Sequence, residues 1–348
     1  MDCAMQPIPT PDTHSDVLLD VRELRTHFRT EDGIVRAVDG VDLKVRRGRT
    51  LGIVGESGCG KSILSRSIIR TVPEPPATIS GEVRWRRKSG EVVDLAGLKP
   101  MSTELRSVRG REIAMIFQEP MRSLSPVHTL GNQVVEALRV HEDIGRNEAR
   151  QRAIEMLGVV GIPKPEVRFD SYPFEMSGGM RQRAMIAMAL MCRPDLLIAD
   201  EPTTALDVTV AAAILKLLKR LQVEFGMSIM IITHDLGVVA NMADDVVVMY
   251  LGRVVEQGSV ETIFGNPQHP YTQALLRSMP RIGGREENLA TISGSIPDPF
   301  ARIPGCAFSP RCIEAEAGLC NVREPQLHRF GAGHFTRCLK RESVLHGR

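Results

Sequence analysis

Apolar and polar positions along this chain change their period several times. Short alternating runs come first: Leu18-Leu19-Asp20-Val21, Val35-Arg36-Ala37-Val38 and Val41-Asp42-Leu43-Lys44-Val45. They are broken at Asp32-Gly33 and Arg47-Gly48, so an antiparallel sheet of half-buried strands is expected. Past Pro73-Glu74-Pro75-Pro76, a further hairpin reads through Val83 and Val92. Other runs are apolar without alternation: Leu51 to Val54, Ile113 to Phe117, Leu196 to Ala199, the interior of Ser228 to Thr233, and Val246 to Tyr250. Such runs fit strands covered on both faces. Helix-forming stretches separate them: Ile63 to Arg70, Met180 to Cys192, and Thr209 to Phe225 with Gly226 at the C-terminal cap. Strands alternating with helices predict a mostly parallel α/β core.

Between these strands, residues Gly131 to Gly158 carry a helical period through Val134, Val135, Leu138, Ala153, Ile154 and Leu157. A helical insert over about 119–178 is therefore expected inside a core domain of 17–265. Residues 1–16 read as a disordered tail. Beyond Gly265-Asn266-Pro267 prolines and glycines multiply, which sets a boundary near 266 and leaves 266–348 as a small extension.

Composition narrows the function classes. The 348 residues allow one large domain or two moderate ones, and 43% hydrophobic with 25% charged residues describes a soluble chain with a real core. A net charge of +2 makes no electrostatic case for nucleic acid, and 4% aromatics makes none for a base-stacking platform. The basic run Arg84-Trp85-Arg86-Arg87-Lys88 fits a solvated hairpin face. Residues 1–16 hold no apolar signal segment, and no apolar run is long enough for a bilayer, so a cytoplasmic location is expected.

The sharpest chemical signal is Gly55-Glu56-Ser57-Gly58-Cys59-Gly60-Lys61-Ser62, which fits the phosphate-loop pattern G-x-x-x-x-G-K-[ST]. A buried strand precedes it and a helix follows. Glycines let backbone N–H groups close around phosphate oxygens, and the helix N-terminus adds positive potential. Lys61 would reach the terminal phosphates and Ser62 would ligate Mg²⁺. Leu196 to Ala199 lead to Asp200 and Glu201. Asp200 at a strand end can hold Mg²⁺, and Glu201 can orient a water and accept its proton.

Further segments stand in a telling order. Gln118 lies in Phe117-Gln118-Glu119-Pro120, and Met176-Ser177-Gly178-Gly179-Met180-Arg181-Gln182-Arg183 opens a helix. Thr203-Thr204-Ala205-Leu206-Asp207 and Thr233-His234-Asp235 come after it. These resemble the Q-loop, signature, D-loop and switch histidine of the ATP-binding cassette (ABC) ATPases. The resemblance implies a P-loop NTPase core with an antiparallel β subdomain, a helical insert and a dimer bound head to tail. It implies that Ser177, Gly178 and Gly179 of one subunit close on ATP held by the other, with Asp207 at their interface. It further implies Glu201 as general base, His234 on the γ-phosphate, and Gln118 linking metal and water to the insert. Phe28 is the candidate for stacking on adenine, or else ordinary strand packing. Met176 and Met180 replace the more usual Leu and Gln of the signature.

The stretch Ile116 to Pro126, and Asn266-Pro267-Gln268-His269-Pro270-Tyr271-Thr272, look like the oligopeptide/dipeptide permease branch. That likeness implies an ATPase at the cytoplasmic face of the inner membrane, energising import. Its expected partners are a second ATPase subunit, alike or different, two transmembrane permease subunits and an extracytoplasmic solute-binding protein. Met121 to Leu130 would form a groove for a permease helix. Nickel or opines are alternative solutes; a soluble ATPase working on nucleic acid or ribosomes is a further alternative.

Four of the seven cysteines crowd the extension as Cys306, Cys312, Cys320 and Cys338, spaced C-x5-C-x7-C-x17-C. In a reducing compartment this suggests metal before disulfides. Close C-x2–4-C pairs, usual for structural zinc, are absent. Four thiolates at looser spacing can wrap a [4Fe–4S] cluster, and the resemblance points the same way. Zinc, with His328 or His334 in a Cys3His set, and unligated or disulfide-forming cysteines are the alternatives.

Overall fold

The computed structural model describes residues 16–118, 123–279, 292, 294–298 and 300–345. The expected N-terminal tail before Asp16, and Glu119 to Arg122 of the segment after Gln118, lie outside them.

The first strands are longer than their alternation suggests. β1 (Val17–Thr30) and β2 (Gly33–Arg46) form one antiparallel hairpin turning at Glu31-Asp32. Val35–Val38 and Val41–Val45 thus belong to a single strand. Gly40, at φ +71°, is an extra residue between the Leu24–Val41 and Arg25–Asp39 pairs, so a bulge carries the ladder past it. Next come β3 (Thr50–Val54), α1 (Lys61–Ile68), β4 (Ala77–Arg86) and β5 (Val92–Asp94). One sheet has the order β2-β1-β4-β5 and is antiparallel, as the alternation predicts.

The central sheet is built on the unalternating apolar runs. β6 (Ile113–Ile116), β7 (Leu196–Asp200), β8 (Ser228–Ile232) and β9 (Asp245–Tyr250) join β3 in the parallel order β6-β7-β8-β3-β9. Every residue of β3, β7 and β8 is buried, because neighbouring layers cover both faces. β10 (Arg253–Ser259) pairs antiparallel with β9.

The helical segments, in order after α1, begin with α2 (Thr103–Val108). The insert holds α3 (Leu130–Arg139), α4 (Arg146–Val159) and α5 (Pro165–Phe169). It packs Leu130, Val134 and Leu138 with Ala153 and Leu157 in one cluster. Gly131 has no Cβ for a reason: one would lie 2.3 Å from the Phe169 ring. α6 (Gly178–Leu190), α7 (Val208–Phe225), α8 (Leu236–Met242), α9 (Val260–Gly265), α10 (Pro270–Arg277) and α11 (Leu339–Leu345) follow among the described residues. Gly226 ends α7 at φ +65°.

The extension is bound into this core. β11 (His328–Gly331) and β12 (His334–Thr336) continue the central sheet beyond β10. The carboxylate of Glu256, wholly buried in β10, ties them together. It accepts hydrogen bonds from the N–H groups of Gln268 at 2.5 Å and His269 at 3.0 Å, and meets His334 Nε2 at 2.8 Å. A carboxylate this deep is tolerated only when so partnered. Tyr250, Tyr271 and Phe308 pack on one another with ring centroids 4.7–5.3 Å apart.

Candidate functional site

The loop Gly55–Ser62 joins β3 to α1 at the carboxyl edge of the parallel strands, where α/β sheets bind ligands. Two of its glycines are sterically required. A Cβ on Gly55 (φ +154°) would fall 2.3 Å from the Met249 carbonyl oxygen, and one on Gly60 (φ +102°) 2.0 Å from that of Ala37. Gly60 begins α1 with no side-chain cap, which leaves the helix's first N–H groups for an anion. Lys61 is buried, and its Nζ donates to the carbonyls of Gly55 at 2.7 Å and Glu56 at 3.0 Å. Cys59 is buried beneath the loop, and burial pushes its thiol pKa up.

Side chains from four strand ends converge there. Ser62 Oγ donates to Asp200 Oδ1 at 3.0 Å. Asp200 is fully buried, and its Oδ2 has no hydrogen-bond partner. Burial pushes this carboxyl pKa up, Ser62 opposes the shift and the Glu201 charge adds to it. A carboxylate so placed, beside a hydroxyl, fits a hard cation such as Mg²⁺.

Glu201 sits one residue on, at φ +48°, a left-handed conformation that costs about 1–3 kcal/mol for a residue with a side chain. Its Oε1 lies 3.0 Å from His234 Nδ1, just past β8. Its Oε2 accepts from Gln118 Nε2 at 3.1 Å, just past β6, and from Thr204 Oγ1 at 2.8 Å. Burial works against its charge, but the hydrogen bonds from His234 and Thr204, with the Lys61 charge, hold the carboxyl pKa below its ordinary value. The residue is therefore an ionised proton acceptor at neutral pH. Thr204 was not among the sequence-derived candidates; its place in the segment after Glu201 was the available signal.

Lys61, Ser62, Gln118 and Glu201 line a cavity of about 550 Å³. β2 gives it Val35 to Ala37, and the extension gives it Arg302, Ile303 and Ala307. Phe28 is not among its lining residues; the residue facing the cavity is Val35, its cross-strand partner.

Ser177, Gly178, Gly179 and Asp207 lie elsewhere, around a second cavity of about 540 Å³. No residue lines both cavities. Ser177 Oγ caps α6 by accepting from Met180 N–H at 3.3 Å, and Asp207 caps α7 by accepting from Val210 N–H at 2.9 Å. Within one chain the structure does not bring the second group to the phosphate loop.

The tail cysteines gather too. Cys306, Cys312, Cys320 and Cys338 are free thiols, and all four line one small cavity with His269 and Phe308. Burial pushes the thiol pKa values of Cys306 and Cys338 up, and that of Cys312 to about 11. Among the described residues, no three His, Cys, Asp or Glu side chains come together closely enough to hold a single metal ion. The Cys3His alternative is corrected at His334, whose ring is engaged by Glu256, and at His328, whose Nδ1 faces the Gln326 carbonyl at 3.3 Å. Neither lines the cysteine cavity.

Comparison with known proteins agrees with this geometry. A family model described as ABC transporter matches residues 38–204, and one described as the oligopeptide/dipeptide transporter C-terminal region matches 255–320. A probable peptide ABC transporter ATP-binding protein of Sinorhizobium fredii is 50% identical, over 95% of this chain and 97% of its own. A dipeptide transport ATP-binding protein of Escherichia coli is 46% identical, over 92% of this chain and 96% of its own. Among solved structures, an ATP-binding cassette in a dimeric post-hydrolysis state with ADP and Pi is 27% identical. It superposes with a TM-score of 0.60 over 70% of this chain and 98% of that one. A Clostridium perfringens subunit of an ABC transporter complex is 31% identical, with a TM-score of 0.59 over 72% of this chain and 92% of that one.

Proposed function

The chain belongs to the ABC transporter family of ATPases, and from that premise we propose that it is the ATP-hydrolysing subunit of a peptide importer. The observation that carries the mechanism is the Glu201 carboxylate, gripped by His234, Gln118 and Thr204 beside Lys61 and Ser62. Glu201 takes the proton of the attacking water. His234 and Lys61 stabilise charge on the γ-phosphate, and Gln118 reports the state of the site to the insert. Mg²⁺ held by Ser62, Gln118 and Asp200 would neutralise charge on the transferring phosphoryl group. The backbone of Gly55 to Ser62 cradles the phosphates, and the β2 and tail wall receives the base.

Ser177, Gly178, Gly179 and Asp207 serve the site of a partner cassette, alike or related, so two ATP molecules lie between two subunits. The core domain 17–265, with its insert, carries this chemistry, and 266–348 is the extension typical of the peptide branch. The names of the relatives support peptides over nickel or opines as the solute. Two transmembrane permease subunits and an extracytoplasmic binding protein complete the importer. No helix among the described residues is long and apolar enough to cross a membrane, which fits attachment from the cytoplasmic face. The test is co-expression with candidate permease subunits in vesicles. ATP-driven peptide uptake that needs this chain is expected; uptake of nickel alone, or co-purification with ribosomes instead, would overturn the assignment.

For the tail, we propose a [4Fe–4S] cluster held by Cys306, Cys312, Cys320 and Cys338, a structural staple for a segment with little core of its own. Support comes from four free thiols on one cavity, with Cys320 and Cys338 buried and Cys306 and Cys312 half-buried. Anaerobically purified protein is expected to absorb near roughly 400 nm, and Cys312→Ser to abolish the band. A colourless parent protein carrying stoichiometric zinc would refute the cluster.

A further inference from the structure

We propose that Arg311 is a positioning residue for the phosphate loop, through which the tail sets the loop's affinity for nucleoside triphosphate. The proposal rests on the ATPase reading above and goes beyond it. Glu56, the second residue of the loop, is held at three points. Its carboxylate takes a two-pronged grip from one guanidinium, with Arg311 Nη1 on Oε2 at 2.7 Å and Nη2 on Oε1 at 2.9 Å. Its N–H donates to Tyr271 Oη at 2.8 Å. Its carbonyl accepts from Lys61 Nζ at 3.0 Å. Two of the three holds come from the tail. The third comes from the lysine that a triphosphate must engage.

The grip is built rather than incidental. The Arg311 side chain is 4% exposed. Its guanidinium packs 5.8 Å from the Tyr250 ring centroid and 6.0 Å from that of Phe308, and Nη1 lies 3.4 Å from Tyr250 Oη. Aromatic walls on a planar fork fix its orientation, which a lysine cannot reproduce. A buried ion pair contributes little net stability, so geometry is its better explanation. Arg311 does two things for the loop. It fixes the Glu56 peptide next to the sterically constrained Gly55, and so aims the N–H groups that follow. It also neutralises a carboxylate that would otherwise repel the phosphates.

The placement couples this to the tail. Arg311 ends the one-turn 3-10 helix Ser309–Arg311, and Cys312 follows directly. Ala307, on the other side of Phe308, lines the nucleotide cavity. Order at the cysteine cavity is thus order at Arg311, and nucleotide on the loop must in turn stabilise the 309–312 segment, because coupling between sites is reciprocal.

The experiment measures equilibrium binding of a fluorescent ATP analogue to the full chain, in a cycle of parent, Arg311→Gln, Glu56→Gln and the double variant. Arg311→Gln is expected to weaken affinity about tenfold or more in the parent background, and by less than about twofold once Glu56 is glutamine. At saturating ATP the parent turnover is retained, a split that general misfolding would not give. Equal losses in both backgrounds, or no loss, would overturn the proposal. A second measurement uses only the parent: hydrogen exchange across 309–312 slows when ATP binds, and unchanged exchange there counts against the coupling. A parent chain that binds no ATP would instead sink the ATPase reading, so the two failures are distinguishable.

Discussion

Glu201→Gln is expected to slow ATP turnover about 10²- to 10⁴-fold while nucleotide affinity stays within about twofold. Glutamine has the shape of glutamate and can still accept the hydrogen bond from Thr204 through its carbonyl oxygen. It cannot take a proton. The loss therefore falls on the chemical step and spares binding, whose groups are Lys61, Ser62 and the loop N–H donors. The pH dependence follows from the depressed carboxyl pKa. Hydrogen bonds from His234 and Thr204 favour the ionised form against the effect of burial, so Glu201 stays ionised below the usual carboxylate range. Its contribution to folding stability is present above the unfolded-state pKa and is lost as pH falls through the folded value. The acid limb of turnover due to this group is expected at the same low pH, not near neutrality. Single-turnover hydrolysis alongside equilibrium binding checks both. Parent-like turnover by the variant would remove Glu201 from the role of base.

How much of this was legible depends on whether the signal was local. The phosphate loop was legible because backbone sterics at Gly55 and Gly60 demand glycine, whatever the rest of the fold does. The parallel strands were legible because burial on both faces removes alternation, as in Leu196 to Ala199. The continuity of Val35–Val38 with Val41–Val45 was not legible, because a glycine such as Gly40 can end a strand or bulge it, and only the partner strand decides. Phe28 illustrates the limit of local pattern, since the cavity is lined by Val35 of the neighbouring strand, and which strand borders it is set by the fold. The tail was the least legible part. β11 and β12 hold four and three residues, too few for any period, yet they extend the central sheet. The Arg311–Glu56 pair spans 255 positions, and no local pattern encodes a contact of that separation.

The tail therefore changes what kind of object the nucleotide site is. Tyr271 and Arg311 hold the phosphate loop, and Ile303 and Ala307 help to wall the cavity. A proline- and glycine-rich extension would be expected to hang off a cassette. Here it is anchored through Glu256 and completes one side of the site.

On the proposed function the other side comes from a partner cassette, and Ser177→Arg is the variant that tests this. Its turnover is expected to fall about hundredfold or more, as when a preorganised donor to developing charge is lost, with ATP binding to the single chain unchanged. The two cavities, of about 550 and 540 Å³, share no lining residue, so the substitution is made away from Lys61 and Glu201 of its own chain. In a head-to-tail pair, however, arginine at 177 would stand against the partner's γ-phosphate and force the clamp open. Mixing gives a sharper readout. A Ser177→Arg chain paired with a Glu201→Gln chain has one composite site with both residues intact and one with neither. Two nearly silent proteins should thus recover about a quarter of parent turnover on random pairing: half of the pairs are mixed, and each has one working site of two. Dilution should abolish the recovery as pairs dissociate. A mixture that stays silent while both variants bind ATP and form mixed pairs would overturn the shared composite site.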